Sequence, residues 1–310
     1  MLTFVLRRLL QSLPVFLGII VICFVLLKLA GDPVRVLVPE KAPAWQREKV
    51  RRQLGLDQPW YVQLGRYVAD VARGDLGASF RHHRPVREMV LAGAAVTGRL
   101  ALGAMVLAVG LGLLSGIFSA HKPRSWVDYA SAAGASLGVS VPAFWLAMLL
   151  TLLFGVKLGW LPVSDYEAGR IEYLVIPVLT LGLISTALVA RLTRSCLLDA
   201  MGQDYVRTAQ AKGRGRLRVL LEHAFPNALL PVVTVIGTNL AALLAGAVLT
   251  ETACSLPGLG RVIFQAISER DHPVILGGCL FCAFVFVGVN LIVDILYGLL
   301  DPRVREQSGV

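Results

Sequence analysis

Few residues of this chain have the types and spacing that catalysis or metal binding requires. Cys279 and Cys282 form a C-x-x-C pair, but they lie in the apolar run GGCLFCAFVFVG without further ligand residues beside them, so packing inside a helix is the better interpretation. His82 and His83 are adjacent in the sequence, and because adjacent side chains diverge, the pair is a weak signal of a metal site. The sequence lacks G-x-x-x-x-G-K-[ST] and H-E-x-x-H, and it therefore predicts no phosphate-cradling loop and no bound metal or cofactor of its own.

Polar side chains within the apolar runs are the second group of candidates, because such groups are costly in lipid and often functional. Asn239 lies in a long apolar run with Thr238 beside it. It either lines a transport pathway or hydrogen-bonds to a neighbouring helix. Asp294, late in the last run, could pair with a basic residue at the inner face. The pathway candidates are Thr238, Asn239, Ala242 and Gly246.

A polar stretch from Asp204 to Pro231 separates two apolar runs and is rich in arginine and lysine. Its first part, Gln203–Gly213, has the pattern of a short amphipathic helix, and Gly213 supplies a stop. A short helix in such a loop suits docking onto a soluble partner. The alternative is an ordinary basic loop held on the cytoplasmic side.

The elements that position these residues are predicted to be membrane-spanning helices. The 310 residues are 56% hydrophobic and 16% charged, which is too apolar for a typical soluble domain. The net charge of +10 comes from loops between apolar runs rather than one continuous face, which argues against nucleic-acid binding and favours membrane topology and anionic lipid. Six segments approach the roughly 20 residues that a span needs, at roughly 9–30, 94–120, 129–156, 174–193, 229–250 and 274–300.

The charges at the ends of these segments predict both termini in the cytoplasm. The division is then a first transmembrane helix (1–30), an extracytoplasmic segment (31–90), a five-helix core (91–300) with a cytoplasmic loop (194–228), and a cytoplasmic tail (301–310). The first helix resembles a signal peptide but is too long and lacks a cleavage site, so we expect it to be retained. The sequence thus predicts an all-α integral membrane protein with six transmembrane helices.

A series of ordered motifs resembles a known family, the inner-membrane permease subunits of binding-protein-dependent ABC importers for dipeptides, oligopeptides and nickel. The resemblance covers nearly the whole chain and is to the first of the two permeases in such systems. The motifs include GDP (Gly31–Pro33), LGLDQP (Leu54–Pro59), GDLGASF (Gly74–Phe80), LGWLPVSDY (Leu158–Tyr166), QDYVRTAQAKG (Gln203–Gly213), LPGLGR (Leu256–Arg261) and RDHPV (Arg270–Val274).

The resemblance implies a type I importer permease fold and a role for the polar loop. In the family this loop forms a coupling helix that sits in a cleft of the ATPase subunit. Gly213 and Pro226 match its pattern, whereas Arg207 and Thr208 replace the usual Glu and Ala. The residues expected to couple to the ATPase are Asp204, Tyr205, Arg207, Thr208, Ala209, Lys212 and Gly213.

The loop Glu251–Asp271 is expected to face outward and to end a helix at its Pro-Gly-Leu-Gly turn. Either it packs the fifth span against the sixth, or its tip lines the outer mouth and contacts a docked binding protein. The candidate contacts are Leu256, Pro257, Gly258, Leu259, Arg261 and Arg270.

The implied assembly is an inner-membrane transport subunit that pairs with a homologous permease, two ATPase subunits that hold ATP and magnesium, membrane lipid and an extracytoplasmic binding protein. The substrate could be a peptide, a nickel chelate or glutathione. The rival interpretations are a self-contained secondary transporter, which would need inverted repeats, and an intramembrane enzyme, which would need paired catalytic groups in the spans. The sequence has no half-to-half repeat.

Overall fold

The computed structural model describes residues 2–30, 34, 38, 42–163 and 166–300, and this part of the chain is almost entirely helical. The predicted tail (301–310) and the motif Gly31–Pro33 lie outside it. The helices are α1 (Leu2–Ala30), α2 (Ala44–Gln53), α3 (Trp60–Ala72), α4 (Val86–His121), α5 (Trp126–Ser140), α6 (Ala143–Lys157), α7 (Glu172–Met201), α8 (Asp204–Ala211), α9 (Arg216–Leu244), α10 (Val248–Ala253), α11 (Leu259–Glu269) and α12 (His272–Leu300).

Five of these helices, α1, α4, α7, α9 and α12, are long and apolar enough to cross a membrane. The sequence predicts a further unbroken span over 129–156, but the structure divides it into α5 and α6, which are bent by 103° at their junction. Pro142 causes the break because it cannot donate a helical hydrogen bond, and it holds Val141 in an extended conformation (φ −85°, ψ 123°). The bundle has six spans if the bent pair is counted as one.

The centre of the bundle is the contact between α4 and α7. Gly112 of α4 faces Val189 of α7, and Gly116 faces Thr193 one turn further along. A side chain at either glycine would overlap α7, so the two backbones can approach only because these positions are small. More than half of the most apolar stretch of α7 is buried, compared with 6% for α1, which lies at the edge of the bundle.

The connecting segments lie at opposite ends of the bundle. Val206 of α8 belongs to the same buried cluster as Ala120 at the end of α4. The segment that carries α2 and α3 instead reaches the α11–α12 turn, where Ser79 hydrogen-bonds to Asp271. Because α9 runs the length of the bundle between α8 and α10, α8 lies at one end, and α2, α3, α10 and α11 lie at the other.

Candidate coupling helix, pathway face and outer mouth

Helix α8 is the predicted coupling helix, and its ends lie within a residue or two of the predicted limits. It begins after Gln203, whose backbone is extended (φ −77°, ψ 155°), and its last regular residue is Ala211. Gly213 follows in the left-handed conformation (φ +80°), with its N–H donating to the Gln210 carbonyl at 2.9 Å. Nothing lies within 4 Å of where a Cβ would stand, so the requirement for glycine is conformational rather than steric.

One face of α8 is fixed to the bundle and the other is open. Val206 is fully buried against Leu197, Val219 and Leu220, and Ala209 packs partly on the same cluster. The remaining predicted coupling residues are exposed, namely Asp204, Tyr205, Arg207, Thr208, Lys212 and Gly213. A helix held by Val206 and Ala209 on one side, with a polar and basic outer face, can follow a partner and move the bundle with it.

The start of α9 extends this open surface. Tyr205 accepts a hydrogen bond from Asn227 Nδ2 at 3.3 Å, which links α8 to α9. Glu222 pairs with Arg214 and with Arg218, the latter at 2.9 Å. Leu217 and Leu221 remain exposed beside these charges. Apolar, aromatic and basic side chains therefore share one surface at this end of the bundle, as protein-binding surfaces commonly do.

An ion pair near the same end, in which only the carboxylate is fully buried, was not predicted from the sequence. Asp128 of α5 receives Arg194 of α7 in a two-pronged contact, with Nη2 2.8 Å from Oδ2, and a hydrogen bond from Ser119 of α4. The local signal is Ser125-Trp-Val-Asp128, in which Ser125 caps α5 by accepting from the Asp128 N–H. The pair ties three helices together next to the coupling helix.

The four predicted pathway residues of α9 and its C-terminal end do not share one environment. Thr238 and Ala242 lie on one exposed face. Asn239 is turned inward, and its Nδ2 is buried with no hydrogen-bond partner among the described residues. Gly246 has φ +118°, and a Cβ added to it would lie only 2.8 Å from Gly260 Cα. Of the four, Thr238 and Ala242 are exposed, whereas Asn239 and Gly246 are partly buried.

The predicted outer-mouth residues also divide into two groups. Leu256 and Leu259 are fully buried, and Gly258 is buried with them. Pro257 and Arg270 are exposed and Arg261 is half-buried. Contact of Leu256, Gly258 and Leu259 with a docked partner conflicts with their burial inside this chain, so only the other three are available to such a partner.

The buried carboxylate of Glu251 packs against the Pro-Gly-Leu-Gly turn and hydrogen-bonds to the start of α11. Glu251 of α10 has no exposed surface, and it accepts hydrogen bonds from Thr97 Oγ1 at 2.6 Å and from the Arg261 backbone N–H at 3.0 Å. Thr97 in turn accepts from the Leu259 N–H at 2.8 Å. A Cβ on Gly258 would overlap the Glu251 carboxylate. The Arg261 N–H in the first turn of α11 thus meets an acid, as helix N-termini favour, and the network joins α4, α10 and α11.

Asp271, at the turn between α11 and α12, is a second buried carboxylate that joins separate segments by hydrogen bonds. It is 1% exposed and accepts hydrogen bonds from Ser79 Oγ and from the Phe80 and Arg81 N–H groups, the backbone ones at 3.1 and 3.3 Å. These contacts fasten the end of the α2–α3 segment to the core. The motifs GDLGASF and RDHPV therefore meet in space although they are far apart in sequence.

No group of three or more His, Cys, Asp or Glu residues with the spacing of a metal site occurs in the part of the chain that the structure describes. His82 instead lies 3.4 Å from Glu269. All five cysteines are free and half-buried.

Comparison with known proteins places this architecture in a family. Residues 1–101 match the N-terminal profile of binding-protein-dependent transport system membrane components. Residues 112–306 match the profile of binding-protein-dependent transport system inner membrane components. Among solved structures, the inward-facing MetNI methionine ABC transporter has a similar fold, with a TM-score of 0.53 at 15% identity, covering 69% of this chain and 96% of the other.

Curated relatives resemble the chain over almost its whole length. The dipeptide transport system permease DppB of Alkalihalophilus pseudofirmus is 40% identical, covering 98% of this chain and 100% of the relative. The di/tripeptide transport system permease DppB of Pseudomonas aeruginosa is 41% identical, and the dipeptide permease DppB of Escherichia coli K12 is 38% identical, each covering 99% of this chain and 100% of the relative. The chain therefore belongs to the inner-membrane permease components of binding-protein-dependent ABC importers, and it is a transport subunit rather than an enzyme.

Proposed function

We propose that the chain forms, with a homologous second permease, the path by which peptides delivered by an extracytoplasmic binding protein enter the cell. The substrate class is supported by relatives of 38–42% identity that are named as dipeptide, di/tripeptide or peptide permeases. Two separate ATPase subunits bind ATP and magnesium and supply the energy. Nickel chelates and glutathione are the alternative substrates within the same family.

The observation that carries this proposal is the arrangement of α8. Val206 fixes the helix to a cluster that contains residues of α4, α7 and α9, while its outer face is free to enter a cleft of an ATPase subunit. When ATP draws two ATPase subunits together, each would move its coupling helix, and the buried cluster would transmit the movement to the bundle. ATP then shifts the population toward the conformation that it binds more tightly.

The proposed orientation places α8 in the cytoplasm and the α2–α3 segment and the α10–α11 loop outside. In this orientation Pro257, Arg261 and Arg270 face the binding protein, and Thr238 and Ala242 of α9 face the second permease or the substrate. The peptide enters at the interface of the two permeases and leaves inward after hydrolysis.

The test is transport by the reconstituted complex. The chain would be purified with its second permease and two ATPase subunits, placed in vesicles, and supplied with its binding protein and a labelled dipeptide. We expect uptake that requires ATP and the binding protein. Uptake of a nickel chelate or glutathione but not of dipeptides would replace the peptide assignment. Uptake by this chain alone, driven by an ion gradient, would identify a secondary transporter instead.

A further inference from the structure

A cavity of about 510 Å³ lies outside the coupling, pathway and docking regions described above. Its walls come from the end of α1, the α2–α3 segment and the beginning of α12. Neither α2 nor α3 contributes a fully buried residue to the fold. The segment is therefore fastened at its end by Asp271, whereas its two helices stand over an open space.

The chemistry of the cavity changes with depth. Phe24 and Leu276 belong to the outer parts of two membrane spans and form an apolar floor. Lys28 and Arg51 bring positive charge to the wall, and Asp70 and Asp75 bring negative charge. The Lys28 ammonium lies 5.4 Å from the centroid of the Phe24 ring, so it stands where the apolar floor meets the polar wall.

We propose that this cavity binds the headgroup of an aminophospholipid of the phosphatidylethanolamine class. The lipid phosphate would meet Lys28, its primary ammonium would donate to Asp70 and Asp75, and its acyl chains would follow Phe24 and Leu276 into the bilayer. The volume is within the range of small-molecule sites. The assignment to the outer leaflet rests on the proposed orientation.

The mixed charge of the wall selects among lipid classes. A phosphatidylglycerol headgroup has no cation to offer Asp70 and Asp75. A phosphatidylcholine headgroup is zwitterionic, but its quaternary ammonium has no N–H with which to donate to a carboxylate. A soluble dipeptide carries both charges but lacks the long acyl chains that would extend from the apolar floor into the bilayer. Access from the bilayer is open because α1 lies at the edge of the bundle and buries only 6% of its span.

A bound headgroup would join α1, α3 and α12 and restrain the α2–α3 segment. This predicts a difference in local opening of α2 that depends on lipid class. The test uses the complete transporter complex in three kinds of vesicle. One contains phosphatidylcholine alone, and the other two contain phosphatidylcholine with about 30% phosphatidylethanolamine or phosphatidylglycerol, so that the added lipid is the probe. Tryptic cleavage after Arg52, an exposed residue of α2, is the readout.

We expect phosphatidylethanolamine to slow this cleavage by about tenfold, the effect of a ligand at roughly ten times its dissociation constant. Lys28→Ala and Asp70→Asn should each remove most of the protection while leaving unstimulated ATP hydrolysis unchanged, which shows that the complex is folded. Lys49→Ala changes an exposed charge of α2 that does not line the cavity, and it should keep the protection.

Equal cleavage in all three vesicles would overturn the proposal. Equal or greater protection by phosphatidylglycerol would also overturn it, because the site would then select negative charge alone. Protection of the complex in phosphatidylcholine by a soluble dipeptide would assign the cavity to the transported substrate and likewise reject the lipid. Protection that survives both Lys28→Ala and Asp70→Asn would place the lipid elsewhere.

Discussion

Gly213 ends the proposed coupling helix in a backbone conformation that favours glycine. Its φ of +80° is a conformation that other L-residues adopt only at a cost of about 1–2 kcal/mol, and a β-branched residue resists it most. We therefore expect Gly213→Val to displace the end of α8 and to abolish both uptake and binding-protein-stimulated ATP hydrolysis in the reconstituted complex. Gly215, two residues further on, has φ −63° and open space around it.

Two control substitutions separate the effect of backbone conformation at residue 213 from the effect of added side-chain volume. Gly215→Val adds the same side chain where the backbone is ordinary, and Gly213→Asn places a residue that tolerates the left-handed conformation. Both should keep most of the wild-type uptake. If Gly213→Val itself transported at the wild-type rate, the glycine stop would not be part of the coupling mechanism.

Glu251 and Thr97 form a buried hydrogen-bond network in which one oxygen atom determines whether every donor has an acceptor. The carboxylate accepts from two donors, Thr97 Oγ1 and the Arg261 N–H, but a carboxamide has only one oxygen. Glu251→Gln therefore leaves a buried donor without an acceptor, at about 1–3 kcal/mol. We expect a higher concentration of binding protein for half-maximal stimulation of ATP hydrolysis, with the unstimulated rate little changed.

Substitutions at Thr97 test the same network from α4. Thr97→Val removes the hydroxyl at nearly constant volume and should resemble Glu251→Gln. Thr97→Ser keeps the hydroxyl and should remain close to wild type. A Thr97→Val complex with wild-type response to the binding protein would show that the network does not position the docking surface.

The α10–α11 loop, taken as an element, presents two basic side chains that can meet a partner. Arg261 is half-buried and Arg270 is exposed at the end of α11. Rim ion pairs of this kind contribute under ~1 kcal/mol each and mainly steer association. Reversing both charges to Glu should slow binding-protein-stimulated ATP hydrolysis more at low salt than at high salt, and replacing both with Lys should not. Equal stimulation in the reversed and wild-type complexes at both salts would exclude these arginines as docking contacts.

The elements differ in how well the sequence predicts them. The coupling helix is predictable because its pattern and its glycine stop are local. The break between α5 and α6 also has a local signal, Pro142, but apolarity over 129–156 outweighs it when only length and hydropathy are considered. The side-chain partners of Glu251 and Asp271, Thr97 and Ser79, lie more than 150 residues away, and no local pattern specifies such pairs. Leu256 and Leu259 were for this reason predicted as exposed contacts rather than core residues.

At the scale of the whole molecule, we predict the orientation of the bundle in the membrane. The α2–α3 segment lies at the opposite end of the bundle from α8, so the two must be on different sides of the membrane if the bundle spans it. In a background without the five native cysteines, a cysteine at the exposed Ala44 should react with an impermeant thiol reagent in intact cells. A cysteine at Arg216, also exposed, should react only after lysis. The reverse pattern would invert the proposed topology.

The Glu251 network also has a consequence for the order in which the protein is made. Its donors come from α4 and α11, so a nascent chain that has inserted α4 through α10 holds a buried acid that has Thr97 as a donor but lacks the Arg261 N–H until α11 leaves the ribosome. Release at Cys254 should therefore give a product that membrane proteases remove faster than one released at Arg270. Pulse-chase measurement of the two half-lives in cells tests this. Equal half-lives for the two unmodified products would show that α11 does not complete a folding checkpoint.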